Sequence, residues 1–184
     1  MKTAHWMSWE GGVDLVAMTQ PGLAQPNVIL HVARIVHTPI GSAPAGIVFW
    51  QPDAKAPPVL CGFVCGDPRI GAWFGPHIFA GTPFEKVPAL AARITVQTDG
   101  KVASSRIEVG GKVFAVTLGE LGPATLIHRP AGSPMPFAQQ GLEAAAGKVT
   151  LEVDGQKIAV TVPPVAMGGG PGACLAATGV YARP

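Results

Sequence analysis

Short runs of apolar and polar residues alternate along most of this chain, and turn residues separate the runs. A period of two sends successive side chains to opposite faces of a strand. The cleanest case is KVTLEV at 148–153, then Asp154-Gly155, then QKIAVTV at 156–162. Val149, Leu151 and Val153 face one way, while Thr150 and Glu152 face the other; Ile158, Val160 and Val162 repeat the pattern. Asp-Gly is a preferred pair for a tight hairpin turn, so this stretch predicts two strands and the turn between them. The same reading gives strands over 27–37, 45–50, 58–65, 89–97, 101–109, 112–118, 124–128 and 172–182. Asp99-Gly100 and Gly110-Gly111 supply two more hairpin turns.

Two of these strands do not alternate. Residues 28–36 carry Val28, Leu30, Val32 and Val36 with Arg34 on one face, and Ile29, Ala33 and Ile35 with His31 and His37 on the other. Residues 59–64 are apolar on both faces as well. A strand buried on both sides needs two covers. One is the core. The second is a subunit partner, a helical segment, or the aromatic stretch GDPRIGAWFGPHIFAGTPF that follows the third strand.

Helical signals are few. Asp67 is a good N-cap and Pro68 a good first helical residue, so a short helix or single turn is expected over about 68–74, ended by Gly75-Pro76. It would lay Ile70, Trp73 and Phe74 over the core as a plug, or form a lid or pocket wall. QQGLEAAAG at 139–147 is the other helix candidate. Strands in sequential hairpins with no long helix after any of them exclude a parallel sheet with crossover helices.

The expected fold is therefore one all-β, mostly antiparallel domain over residues 1–184. It is an antiparallel β-barrel of about eight strands with one or two short helices, or alternatively a two-sheet β-sandwich. Hairpin after hairpin, one short helix and an apolar interior make the chain similar to calycin-like and allene-oxide-cyclase-like barrels. The similarity is one of architecture, rests on no shared motif, and assigns no residue a role.

Composition agrees: 24 glycines and 19 prolines suit turns, not long helices, and 48% hydrophobic residues supply a core. The net charge of +2 is spread out, with no basic cluster to follow a phosphate backbone, so nucleic acid is not an expected partner. No apolar run nears the roughly 18 residues of a membrane helix, and Glu10 interrupts the N-terminal segment before it can resemble a signal peptide. A soluble, cytoplasmic protein without a membrane partner is expected. The three cysteines read as free thiols in a reducing compartment. Cys61 and Cys65 share a strand face but sit about 13 Å apart, too far to bond.

Candidate chemistry is sparse. His31 and His37 are about 20 Å apart on an extended strand, and no H-x-H, C-x-x-C or H-E-x-x-H spacing occurs, so no metal or other cofactor is expected. There is no G-x-S-x-G. Cys65, just before Gly66-Asp67, is the best candidate nucleophile, because a helix N-terminus lowers a thiol's pKa. Asp99 and Asp154 belong to turns, Asp67 to a cap, and Glu143 to the helix candidate; Asp14, Asp53, Glu85 and Glu120 are left without an assigned partner.

The leading expectation for function is a binder of a small apolar or aromatic molecule in the barrel interior. Trp50, Phe63, Trp73, Phe74, His77 and Phe79 would form the wall, with His31, Arg34 and Arg69 as polar anchors. The alternatives are a cyclase- or isomerase-type enzyme of the same shape, and an assembly protein whose two-faced strands form a homodimer.

Overall fold

A computed structural model describes residues 5–132, 135–166 and 169–183. Eleven strands and one helix follow in chain order: β1 (His5–Ala17), β2 (Val28–Thr38), β3 (Gly41–Trp50), β4 (Leu60–Cys65), α1 (Pro68–His77), β5 (Ala89–Thr98), β6 (Ala103–Val109), β7 (Lys112–Leu121), β8 (Thr125–Arg129), β9 (Ala138–Val153), β10 (Gln156–Ile158) and β11 (Ala173–Arg183). The strands pair in the order β9, β11, β1, β2, β3, β4, β5, β6, β7, and β7 returns to β9, so the ring of strands is closed. β8 and β10 also pair with β9.

The structure corrects the sequence reading in four places. Residues 139–147 are not helical; they are the first half of the long strand β9. Their alanines are good helix formers, but intrinsic propensity is a small preference, and pairing with β11 and β8 overrides it. Residues 5–17, to which the pattern assigns no strand, form β1, which holds β2 on one side and β11 on the other. β10 ends at Ile158, and beyond it Thr161 makes a single bridge to Met18. Finally, β4 and β5 pair in parallel, with Phe63 opposite Ala89. Their connection, residues 66–88, is long enough to cross over, and α1 packs within it.

The helix begins as expected: the Asp67 carboxylate accepts from the Arg69 N–H at 2.9 Å, and Pro68 occupies the first position. It runs past Gly75-Pro76 to His77.

The inside of the ring is filled by side chains from all nine of its strands. Val13, Leu30, Val48, Val64, Ile94, Ile107, Phe114, Leu151 and Ala173 meet there. Trp50 packs edge-on against Phe114 at 5.9 Å. Each fully buried side chain of this kind contributes about 1.5–3 kcal/mol.

A second apolar cluster lies on the opposite face of β1, β2, β3, β4 and β11. Met7, Trp9, Ala33, Val36, Ala45 and Phe63 belong to it, with Ile70, Trp73 and Phe74 of α1, then Ile78 and Phe137. The second cover for the two-faced strands is thus the chain's own helix and loops.

The strands keep their large side chains on this outer face by shifting alternation at one level. Gly11 has a φ of 63°, which lets Trp9 and Gly12 face the same side although they are three residues apart. The pairing register slips between Ala33 and Val36 in β2, and between Ala176 and Thr178 in β11.

Candidate functional site: a cavity on the outer face of the ring

A cavity of about 570 Å³ lies between this outer face and the covering helix and loops. Its origin is visible in the register. Ala176, Gly12, Ala33 and Ala45 stand opposite one another across four strands, a row with almost no side-chain volume. The next row reads Cys174, Asp14, His31, Ile47, Phe63. Loop residues including Phe79, Phe84, Met135 and Phe137 close over the space.

One wall is a chain of aromatic rings. Centroid separations run 4.8 Å from Trp9 to Tyr181, 4.3 Å to Phe137, 5.4 Å to Phe79, 5.2 Å to Phe63 and 5.5 Å to Phe74. Such edge and tilted contacts each add about 0.5–1.5 kcal/mol beyond the area buried.

Two charged pairs border the same space. His31 Nδ1 lies 3.1 Å from Asp14 Oδ1, across the β1–β2 ladder. Burial works against the imidazolium, but attraction to Asp14 and its hydrogen bond, with Glu143 adding from further away, outweigh it and hold the His31 pKa above its ordinary value. The ring is enclosed by protein yet reachable from the cavity, with 38% of the side chain exposed. The second pair is a fork: Arg129 Nη1 and Nη2 donate to Glu143 Oε1 and Oε2 at 2.9 and 2.8 Å. Arg129 Nη1 also donates to Gln139 Oε1 at 2.9 Å. These hydrogen bonds to Glu143 push the guanidinium pKa up and keep it charged.

The thiols are poor nucleophiles. Burial, then the nearby charges of Asp14 and Glu143, push the Cys174 pKa well up. Cys65 sits beside the start of α1 as expected, but its pKa is raised, not lowered. Burial outweighs the hydrogen bonds it receives from Asp67 and Gly71. All three cysteines are free. Among the described residues, no three His, Cys, Asp or Glu side chains gather as a metal site. Among them, too, no helix is long and apolar enough to cross a membrane.

Of the residues singled out in the sequence, His31, Phe63, Phe74 and Phe79 line the cavity. The other five lie elsewhere. Trp50 is inside the ring. Trp73 stacks on His77 at 4.6 Å, and His77 Nδ1 bonds back to the Trp73 carbonyl at 2.8 Å. Arg34 pairs with Glu10 at 2.9 Å and Arg69 with Asp67 at 3.5 Å, both exposed. The groups that pattern reading missed are Trp9, Asp14, Arg129, Phe137, Glu143 and Tyr181. Asp14 did carry a signal: a carboxylate inside the apolar run GVDLVA needs a partner.

No protein-family model matches the chain, nor does any curated protein or solved structure.

Proposed function

We propose that the protein binds one small, mostly apolar or aromatic molecule in this outer-face cavity. The supporting observation is the join of an unbroken aromatic wall to two charged pairs around a void of about 570 Å³. Ligand sites are typically apolar with a few placed polar groups. The sequence expectation put the ligand inside the ring. Side chains from all nine strands meet in that space, and the aromatic wall and both charged pairs lie on the other side, so the proposal moves the ligand to the opposite face of the same strands.

On this reading the ring is an antiparallel barrel of the calycin-like or allene-oxide-cyclase-like kind, used as a rigid platform. The three free thiols suit a reducing, cytoplasmic setting. The homodimer reading loses its main motive, because α1 and the loops already cover the outer face. An enzyme reading gains one, because His31 and Asp14 border the void.

The test is a fluorescence titration with N-phenyl-1-naphthylamine, an uncharged apolar probe. Saturable binding at one site per chain is expected, and it should be lost when Ala33→Phe fills the cavity floor. Absence of saturable binding, or equal binding by the filled variant, contradicts the proposal.

A further inference from the structure

The contact between His31 and Asp14 fixes more than a charge. A carboxylate 3.1 Å from Nδ1 requires that this nitrogen carry the proton. In the neutral ring Nε2 therefore holds the lone pair. Nε2 has no hydrogen-bond partner among the described residues, and the ring borders the cavity. An imidazole held this way, one nitrogen oriented by a carboxylate and the other without a protein partner in a ring that borders a cavity, is the arrangement of a general base.

We propose that the cavity is a proton-transfer site in which His31 Nε2 is the acid–base group, acting on a small apolar or aromatic carbon acid, and Asp14 is its positioning residue. The inference rests on the binding reading above and adds chemistry to it. The substrate class is a β,γ-unsaturated carbonyl compound, whose α C–H bond is activated by the carbonyl beside it. Nε2 takes the proton, the C–H electron pair moves into a carbon–carbon double bond, and the carbonyl oxygen gains the charge. The imidazolium then returns the proton to the γ carbon, the carbonyl re-forms, and the double bond is left between the α and β carbons. The result is a double-bond shift, balanced in atoms and electrons, with no co-reactant. Tyr181 borders the same space, and burial keeps its hydroxyl protonated.

The titratable and charged groups around the cavity are Asp14, Glu143, Arg129, Cys174, Tyr181 and His128. Cys174 and Tyr181 are held neutral by their raised pKa values, and Arg129 stays charged on Glu143.

The test uses 5-nitrobenzisoxazole, a small aromatic reporter of base catalysis. A base removes its C3 proton, the freed electron pair completes a nitrile, the N–O bond breaks, and a coloured phenolate leaves. The wild-type protein should accelerate this reaction saturably, with a rate that rises with pH through a single titration above 6.5, the ordinary histidine value. His31→Gln should lower the rate by about 100-fold or more. Asp14→Asn should move the midpoint of the pH profile downward, a change that a merely structural role would not produce.

If the wild type binds the reporter saturably but turns it over no faster than His31→Gln does, the acid–base assignment is overturned and the binding reading stands. If neither this reporter nor N-phenyl-1-naphthylamine binds, both fall. Should His31→Gln fail to fold, the pH profile of Asp14→Asn decides, and an unchanged midpoint overturns the inference.

Discussion

The indole of Trp9 lies across the bare Cα of Gly179 on the neighbouring strand, and its Nε1 donates to the Ala176 carbonyl at 3.1 Å. A methyl group on residue 179 would overlap the six-membered ring of the indole. This contact sets one end of the aromatic wall, because Trp9 in turn packs on Tyr181. Gly179→Ala should cost about 1–3 kcal/mol by overpacking, measured by urea unfolding. Trp9→Leu in the same background should recover part of that loss, since the two positions are coupled through one contact. Additive losses in the double variant would contradict this account.

Glu143 is buried and its fork with Arg129 is complete. Glu143→Leu alone leaves the guanidinium without its carboxylate beside the cavity. A loss near 3 kcal/mol is expected, the low end for a buried pair, because a quarter of the Arg129 side chain still reaches water. Replacing both, Arg129→Met with Glu143→Leu, should be milder than the single change. A double variant less stable than Glu143→Leu would contradict it.

The raised His31 pKa makes stability depend on pH in one direction. Protonation is more favourable in the folded state, so this contribution is complete below the unfolded value near 6.5 and is lost as pH rises through the higher folded value. Thermal unfolding midpoints should fall over that window, and Asp14→Asn should flatten the fall. A second decline, starting near the ordinary thiol value of 9.0, belongs to the three thiols together, because burial makes each of them resist ionisation in the folded state. A profile without the first decline in the wild type would contradict the His31–Asp14 contact.

The thiols divide by burial. Cys61 is half-buried, whereas Cys65 and Cys174 are buried with raised pKa values. An aromatic disulfide reagent should modify Cys61 first under native conditions, and slowly, since burial raises its pKa too. The other two should react only on unfolding. Prompt reaction of Cys174 would mean that the cavity floor opens.

Local pattern carried much of this fold and little of the site. The hairpin at 148–158, the turns at Asp99-Gly100 and Gly110-Gly111, and the Asp67-Pro68 helix start were all legible, because each depends on residues adjacent in sequence. β9 was hidden because Leu142, Glu143 and Ala144 look helical until two flanking strands claim their backbone. β1 was hidden because its alternation shifts at Gly11, so no single period of two runs through it. The cavity was hidden for a different reason. The row of Ala176, Gly12, Ala33 and Ala45 exists only once four strands have a register, and so does the meeting of His31 with Asp14. The two-faced strand around His31 pointed correctly to a second cover, and the aromatic stretch after β4 supplies part of it.

The central claim places the bound molecule on the outer face, not inside the ring, and the four tryptophans separate these outcomes. The most direct measurement is a ¹H–¹⁵N spectrum of the indole N–H signals during titration with N-phenyl-1-naphthylamine. Trp9 borders the cavity, and Trp50 lies inside the ring. The account predicts that the Trp9 signal shifts saturably while that of Trp50 stays in place. Movement of Trp50 without Trp9 would put the ligand inside the ring and contradict it.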